Sequence, residues 1–450
     1  MPTLRSMGGI SRIDIEGLKS LGEKLSLNLG KLTILAGANS SGKSTVMQGL
    51  LLQKQTLNAP FDPGPLLLNG ENVKFSEAAQ LLHTGLGEGS RRSTKRAGKV
   101  TIGTATERGQ VAVATTYRIG GKETLEIERT SSSYHGKTVD LTPDLTSAQI
   151  SESVRAVLPG LQEMEDERRP PAFAWSVQPH RCFLVAAHGR TDGVPELFHS
   201  PYKFGPDWAA NLIRGIIHLP GLRGNPERSY PVTAVGKEFP GQFQNYMASL
   251  IHNWKSSAGE RVQRLGKDLS DLGLTWKVDT KPVDDTSLAI SVGRTRTSAR
   301  GGARDLVNIA DVGLGVSQVL PVLVALRAAA PEQLVYLEQP EIHLHPSAQY
   351  ALARILLEAA ARGSRVIIET HSSLLLRGLQ VAIAKEKVSL PPKEVALHWF
   401  SRDDAGVTGV TSCTLDEEGA FGDWPADFDD ISLQADSDYL DAVADRRSRP

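Results

Sequence analysis

Residues 32–45 read LTILAGANSSGKST, and this stretch decides the fold. LTILA (residues 32–36) is a continuous apolar run, the pattern of a strand covered on both faces. GANSSGKST (Gly37 to Thr45) fits G-x-x-x-x-G-K-[ST] and runs into a helical stretch over 44–55, so it has the strand before it and the helix after it that the motif requires. In such a loop the backbone N–H groups of Gly37, Asn39, Ser40, Ser41, Gly42 and Thr45, backed by the helix N-terminus, surround a β-phosphate. Lys43 supplies a point charge to the β/γ oxygens, Ser44 offers a hydroxyl to Mg²⁺, and Gly42 lets the backbone approach closely.

Three further stretches fit around this loop. LVYLEQPE (Leu334 to Glu341) is a buried strand ending in acids, and an acid at the C-terminal edge of a parallel sheet faces the opening of the phosphate loop. Glu338 is therefore placed to hold Mg²⁺ through water. DVGLGVSQVLPVLVAL (Asp311 to Leu326) puts glycines before a helix opened by Ser317 and Gln318, which makes either an anion site or a plain helix cap. Gln318 precedes Glu338 by 20 residues, a spacing that favours the anion site. VIIETHSS (Val366 to Ser373) is another buried strand with His371 just past its end, within reach of a γ-phosphate or an attacking water.

The rest of the chain supports an α/β protein. Ile13 and Ile15, then Leu25, Leu27 and Leu29, alternate as a hairpin with one buried face. VAVATTY and ETLEIER continue a β-rich region, and helices over 317–329, 347–362 and 373–386 alternate with strands LVYLE and VIIE. Residues 146–275 read as mostly helical and irregular, with no heptad repeat to support a coiled-coil arm. EVALHWF and VTGVTSCTL are strand-like, ahead of an acidic tail. The divisions expected are 1–145, an N-terminal lobe with the phosphate loop; 146–284, an inserted helical lid or partner-binding region; 285–400, a C-terminal lobe; and 401–450, an extension.

Composition narrows the class. With 450 residues, 40% hydrophobic content and a net charge of −1, no global field draws the chain to DNA or anionic membranes. Two basic segments, Arg91, Arg92, Lys95, Arg96 and Lys99, and Arg294, Arg296, Arg300 and Arg304, are either nucleic-acid contacts or solvated loops. The start lacks the apolar core of a signal peptide and no run reaches the roughly 18 apolar residues of a membrane span. Cys182 and Cys413 read as reduced thiols, so the expected location is the cytoplasm, away from the membrane.

These elements, in this order, resemble the ABC-type ATPase head, and more closely its SMC, RecF and OLD-like branch, over roughly residues 10–60 and 285–390. LGVSQ (Leu314 to Gln318) stands where that class has the signature LSGGQ, LEQP where it has the Walker B acids, and His371 where it has the switch histidine. EIHLHP (Glu341 to Pro346) matches the D-loop region of OLD-like ATPases, which argues against His343 and His345 as metal ligands, although the His-x-His pair leaves that reading open. The resemblance implies ATP and Mg²⁺ as cofactors and a homodimer, or a higher assembly, in which two heads sandwich ATP. There Gly315, Ser317 and Gln318 of each head close on the γ-phosphate held by the other. The stretch ALHWFSRDDAGVTGVTSCTLDEEGAFGDWPADFDD resembles a C-terminal domain of unknown function carried by bacterial AAA-type ATPases. Relatives of that kind keep company with anti-phage systems and a separately encoded effector.

Two departures bear on activity. Gly315, Val316 and Ser317 replace the usual Ser-Gly-Gly of the signature. Gln339 stands where most such heads carry the catalytic glutamate, and an amide cannot take a proton from water. Glu341, two residues on, is the candidate substitute. The expected function is a slowly hydrolysing ATPase that senses a trigger and regulates an effector, in anti-phage defence or DNA maintenance. The competing readings are an OLD-like nuclease, for which the tail acids Asp427, Asp429 and Asp430 lack a recognisable strand-embedded arrangement, and a nucleotide-locked scaffold. A transporter subunit fits poorly, because 274 residues separate Lys43 from Ser317.

Overall fold

The structure, a computed structural model, describes residues 8–86, 94–96, 98–106, 110–121, 124–157, 173–190, 202–257, 259–294, 305–422, 437–438 and 441. Its first third holds β1 (Ile10–Glu16), β2 (Leu25–Asn28), β3 (Leu32–Gly37), α1 (Lys43–Asn58), β4 (Thr84–Leu86), β5 (Thr94–Arg96), β6 (Lys99–Thr106), β7 (Val111–Ile119), β8 (Leu125–Tyr134) and β9 (Lys137–Leu141). The middle holds α2 (Ser147–Val157), β10 (Phe173–His180), β11 (Phe183–Arg190), β12 (Tyr202–Phe204), α3 (Asp207–Arg214), β13 (Ile217–Leu219), β14 (Tyr230–Pro231), α4 (Met247–Ser256) and α5 (Glu260–Asp271). The remainder holds β15 (Val278–Asp284), β16 (Ser287–Gly293), β17 (Leu306–Asn308), α6 (Leu314–Ala328), β18 (Leu334–Glu338), α7 (Pro346–Ala361), β19 (Arg365–Glu369), α8 (Ser373–Ala384), β20 (Val395–Arg402) and β21 (Thr408–Thr414).

The central sheet runs β13-β18-β19-β3-β20-β21. Its first five strands are parallel and β21 closes one edge antiparallel. A second, antiparallel sheet runs β2-β1-β6-β7-β8-β9. The apolar runs of the central strands divide residue by residue between two cores. Leu32, Ile34, Val335, Leu337, Val366 and Ile368 pack with α4 to α8, whereas Leu35, Leu334, Tyr336 and Ile367 pack with α1 and the antiparallel layer. Alternation of side chains across a strand requires this split, and it explains why these runs carry no polar face. Each fully buried Leu, Ile or Val contributes roughly 1.5–3 kcal/mol, so both faces of the sheet add to stability. The expected mixed sheet with an antiparallel layer is the architecture found.

The middle of the chain departs from the expected helical insertion. Within 146–284, β10, β11 and β12 form a three-stranded sheet, and β13 adds itself to the edge of the central sheet beside β18. The β10–β11 hairpin turns at Arg181, whose φ is +54°, and its apolar positions Trp175, Phe183 and Val185 are buried. β13 is only three residues long, too short for any period to register, yet Ile217, His218 and Leu219 are all buried. Among the described residues of this stretch the α-helices are α2 to α5, of which α5 is the longest at 12 residues. The division placed between 400 and 401 falls inside β20, which pairs along β3 from Val395 to Phe400, so the C-terminal segment is built into the central sheet. Among the described residues no helix exceeds 16 residues, in keeping with the missing heptad pattern.

Candidate nucleotide site

The phosphate loop is shaped by three backbone positions. Gly37 ends β3 at φ +135°, and a Cβ there would lie 2.1 Å from the carbonyl of Phe400. Ser40 (φ +59°) and Gly42 (φ +101°) then turn the chain left-handed into α1. A Cβ on Gly42 would meet Thr408 Oγ1 at 2.6 Å and Ser20 Oγ at 2.8 Å. No side chain caps α1 and its first turn carries no acid, so its free N–H groups are left for an anion. The Ser41 hydroxyl is buried without a partner. Lys43 is buried, and its Nζ donates to the carbonyls of Gly37 (3.0 Å) and Ala38 (2.6 Å). Burial lowers its pKa, and the charge of Glu369 partly restores it. Ser40 to Thr45 open onto a cleft of about 470 Å³ whose wall also carries Lys19, Gln48, Gln80, Glu369 and Arg402; Gly37, buried at the end of β3, and Asn39, exposed, do not line it. Basic side chains on the wall, together with Lys43, suit a polyphosphate.

Acids gather at the C-terminal ends of β18 and β19, where Glu338 and Glu369 are register partners. Ser44 Oγ donates to Glu369, at 3.0 Å from Oε1 and 2.8 Å from Oε2, and Tyr336 OH donates to Oε2 at 2.9 Å. Burial pushes the Glu369 carboxyl pKa up, against the two hydroxyl donors. Glu338, expected to face Ser44, is turned elsewhere: its Oε1 meets His218 Nε2 at 3.0 Å and its Oε2 accepts from Gly221 N at 3.1 Å. Although burial opposes ionisation of Glu338, His218 and the Gly221 N–H outweigh it and hold the carboxyl below its ordinary value. β19 lies between β18 and β3, so its last acid is nearer the loop than the last acid of β18. The sequence signal was present in VIIETHSS, one strand from the acid that the motif singled out.

Around these acids stand the other residues singled out. Gln339 is left-handed (φ +43°), and its N–H donates to Glu369 O at 2.7 Å. Glu341 is buried; its Oε1 accepts from Thr370 Oγ1 (2.6 Å) and His371 N (3.3 Å), and its Oε2 has no hydrogen-bond partner. Burial raises the Glu341 carboxyl pKa. His371 is exposed at the edge of the site, and burial of part of its ring, then the charge of Lys43, keep its pKa below 6.5. The imidazole is therefore neutral near pH 7.

The signature segment is set apart from this cleft. Gly315 is the second residue of α6, where an added Cβ would stand 3.5 Å from the carbonyl of His343, and Ser317 Oγ donates back to Leu314 O at 3.2 Å. Gln318 Nε2 donates to Gly224 O at 2.7 Å. None of Gly315, Ser317 and Gln318 lines the cleft of the phosphate loop. Arg223, which the sequence reading passed over in the irregular stretch after IHL, connects the two regions. Its guanidinium donates to Gln318 O (3.1 Å), Glu338 O (2.8 Å) and Gln339 O (3.0 Å). Burial lowers its pKa to about 10, with Glu341 and Glu338 opposing the shift, so it stays charged at neutral pH.

The donor set fits a nucleotide with Mg²⁺: the Ser44 hydroxyl, the Glu369 carboxylate against it, an uncapped helix start and an orphan buried hydroxyl. His345 caps α7 by accepting from Ser347 N, and among the described residues no His, Cys, Asp and Glu cluster forms a separate metal site. Arg91, Arg92, Arg296, Arg300, Arg304, Asp427, Asp429 and Asp430, and the side chains of Lys95 and Arg96, lie outside what is described. Lys99 pairs with Glu128. Cys182 and Cys413 are both free thiols. Among the described residues no helix is long and apolar enough to cross a membrane.

Residues 217–377, from β13 into α8, match the family described as AAA domain, putative AbiEii toxin, Type IV TA system. No protein of curated function matches the sequence. Among solved structures, the chain is similar to an SMC head bound to the C-winged helix domain of ScpA, at 13% identity, over 91% of this chain and 98% of that one, with a TM-score of 0.48. It is similar also to the SMC head domain from Thermotoga maritima, at 11% identity, over 90% and 98%, with a TM-score of 0.41. A third is the Smc head domain from Pyrococcus furiosus with an extended coiled coil, bound to the C-terminal domain of ScpA, at 11% identity, over 97% and 100%, with a TM-score of 0.44.

Proposed function

We propose, for a chain whose fold is that of an ABC-type ATPase head, the function of a nucleotide-gated switch. It binds ATP with Mg²⁺, hydrolyses it slowly, and closes as a homodimer around the nucleotide. Closure controls a separately encoded effector in bacterial anti-phage defence or DNA maintenance. The observation that carries this reading is the split site. A full phosphate-binding half surrounds Lys43, while Gly315, Ser317 and Gln318 contribute nothing to its wall. A signature so displaced has work to do only on a second copy's nucleotide.

The loop N–H groups and Lys43 bind the phosphates, with the ammonium leaving the carbonyls of Gly37 and Ala38 for phosphate oxygens. Ser44 and the carboxylate that faces it from the strand ends would supply oxygen donors for Mg²⁺, which when bound neutralises charge on the phosphates. Neutral His371 donates a hydrogen bond at the γ-phosphate edge without adding charge. Gln339 can orient a water but cannot take its proton. That task falls to Glu341, whose second oxygen is uncommitted. Its burial behind Thr370 and its distance along the chain from the usual base position make turnover slow.

The test is ATP turnover and ATP binding of wild type, Lys43→Ala, Gln339→Glu and Glu341→Gln. Slow wild-type turnover, faster Gln339→Glu and no binding by Lys43→Ala are expected. Brisk turnover that Glu341→Gln leaves untouched would sink the slow-switch reading. Gln339 also favours a second reading, a nucleotide-locked scaffold, which requires tight ATP binding with no turnover even when the protein is concentrated enough to dimerise. Metal-dependent cleavage of a plasmid would instead favour an OLD-like nuclease.

A further inference from the structure

We infer that Glu369, and not Glu338, is the acid that holds Mg²⁺ beside Ser44. The inference rests on the ATPase reading and assigns the metal half of that site. Its first ground is commitment. Both oxygens of Glu338 are already engaged, Oε1 by His218 Nε2 and Oε2 by Gly221 N. His218 is itself fixed, by Asn72 Oδ1 at 3.1 Å from Nδ1 and by stacking on Tyr336 at 5.3 Å between ring centres. Turning Glu338 towards the loop would break both bonds and strand a buried imidazole, at a cost of about 1–3 kcal/mol for each buried group left unpaired.

The second ground is geometry. Both oxygens of Glu369 lie within 3.0 Å of Ser44 Oγ. Two neighbouring ligands of an octahedral Mg²⁺, each bonded at 2.0–2.1 Å, stand about 3.0 Å apart. The hydroxyl and the carboxylate are thus already spaced as such a pair. Rotation of the Ser44 hydroxyl hydrogen away from Glu369 frees an oxygen lone pair on each side for a cation. Tyr336 keeps the carboxylate from swinging away.

The third ground is topology. β19 stands between β18 and β3, with Glu369 in register with Leu35, two residues before Gly37. Glu338 is one strand farther out. This leaves Glu338 a positioning role: it clamps His218 and the start of the loop that carries Arg223.

The experiment measures ATP affinity with Mg²⁺ and with EDTA, for wild type, Glu369→Gln, Glu369→Asp and Glu338→Gln, together with Mn²⁺ binding to the ATP complex by electron paramagnetic resonance. Wild type should bind ATP more tightly with the metal. Glu369→Gln should keep the EDTA affinity and lose about 10- to 100-fold in metal affinity, the size of effect seen when groups supporting a metal are removed. Glu369→Asp should recover part of it, and Glu338→Gln should keep the full metal enhancement. Loss of the enhancement in Glu338→Gln, or its survival in Glu369→Gln, overturns the assignment. Absence of ATP binding by wild type in either buffer overturns the ATPase reading itself, and the assignment with it.

Discussion

Arg223 and Gln318 are tied together twice: Arg223 Nη1 donates to the main-chain oxygen of Gln318, and the Gln318 side-chain amide donates to the carbonyl of Gly224, next to Arg223. The other guanidinium nitrogen, Nη2, holds the carbonyls of Glu338 and Gln339. One buried cation thus fixes the start of the signature helix against the end of the strand that carries the acids. A change at either place must pass through it or break it.

Arg223→Met should therefore do more than lower stability. It takes one donor from three carbonyls, of which Gln339 O keeps the Ile342 N–H, and removes the charge that the buried Glu338 and Glu341 face, which predicts a loss of about 1–3 kcal/mol. Arg223→Lys keeps the charge but, as a point donor, cannot span both sets of carbonyls. Chemical denaturation should show it less destabilised than Arg223→Met. Its ATP affinity should stay within a few-fold of wild type while turnover falls. Equal turnover in Arg223→Lys and wild type would show that the bridge is only structural.

A pH dependence of stability follows from His398 in β20. Its Nε2 donates to Asn28 O at 2.9 Å and its Nδ1 accepts from Ser412 Oγ at 2.7 Å, which joins β2, β20 and β21. Burial holds its pKa below the ordinary 6.5, with the bond to Asn28 opposing. Between the folded value and 6.5 the unfolded chain binds a proton that the native one does not, so unfolding free energy rises with pH there. The contribution is fully present above pH 6.5 and is lost as pH falls through the folded value. His398→Gln retains a donor and an acceptor but no titration. Urea denaturation from pH 8 to pH 5 should show wild type losing stability relative to His398→Gln. Parallel pH curves would contradict this account.

What could be read from the sequence follows the length of the signal. LTILAGANSSGKST, LVYLEQPE and VIIETHSS each combine a full strand with chemistry at its end, and all three come together at one edge of the central sheet. β13 is three residues and Arg223 an isolated cation after it, so neither produces a period or a motif. The exchange between Glu338 and Glu369 at Ser44 had a different cause. Both acids were visible, but which one faces the loop depends on the order of strands in space, and β19 enters the sheet between two strands that precede it in the chain. The helical reading of 146–284 failed where β10 (FAWSVQPH) and β11 (FLVAAHGR) form a hairpin, neither strand keeping a strict apolar–polar alternation along its length.

The last prediction concerns the clamp on the phosphate loop from the far end of the chain. Thr408, the first residue of β21, donates from Oγ1 to Ser41 O at 2.8 Å and from its N–H to Ser20 O at 3.0 Å. The loop is thereby held between β21 and the turn after β1. Gly42 completes the arrangement, because a Cβ at φ +101° would strike Thr408 Oγ1. Thr408→Val keeps the shape and the main-chain bond but removes the hydroxyl donor, worth about 1 kcal/mol net. ATP should then bind roughly fivefold more weakly, since a tenfold change corresponds to about 1.4 kcal/mol. Gly42→Ala should be far worse, combining backbone strain of about 1–3 kcal/mol with displacement of the clamp, and Thr408→Ser in that background should not rescue it because the hydroxyl remains in the way. Titration calorimetry of the three variants checks the order. Wild-type affinity in Gly42→Ala would mean that the loop opens away from β21 when it takes the phosphates.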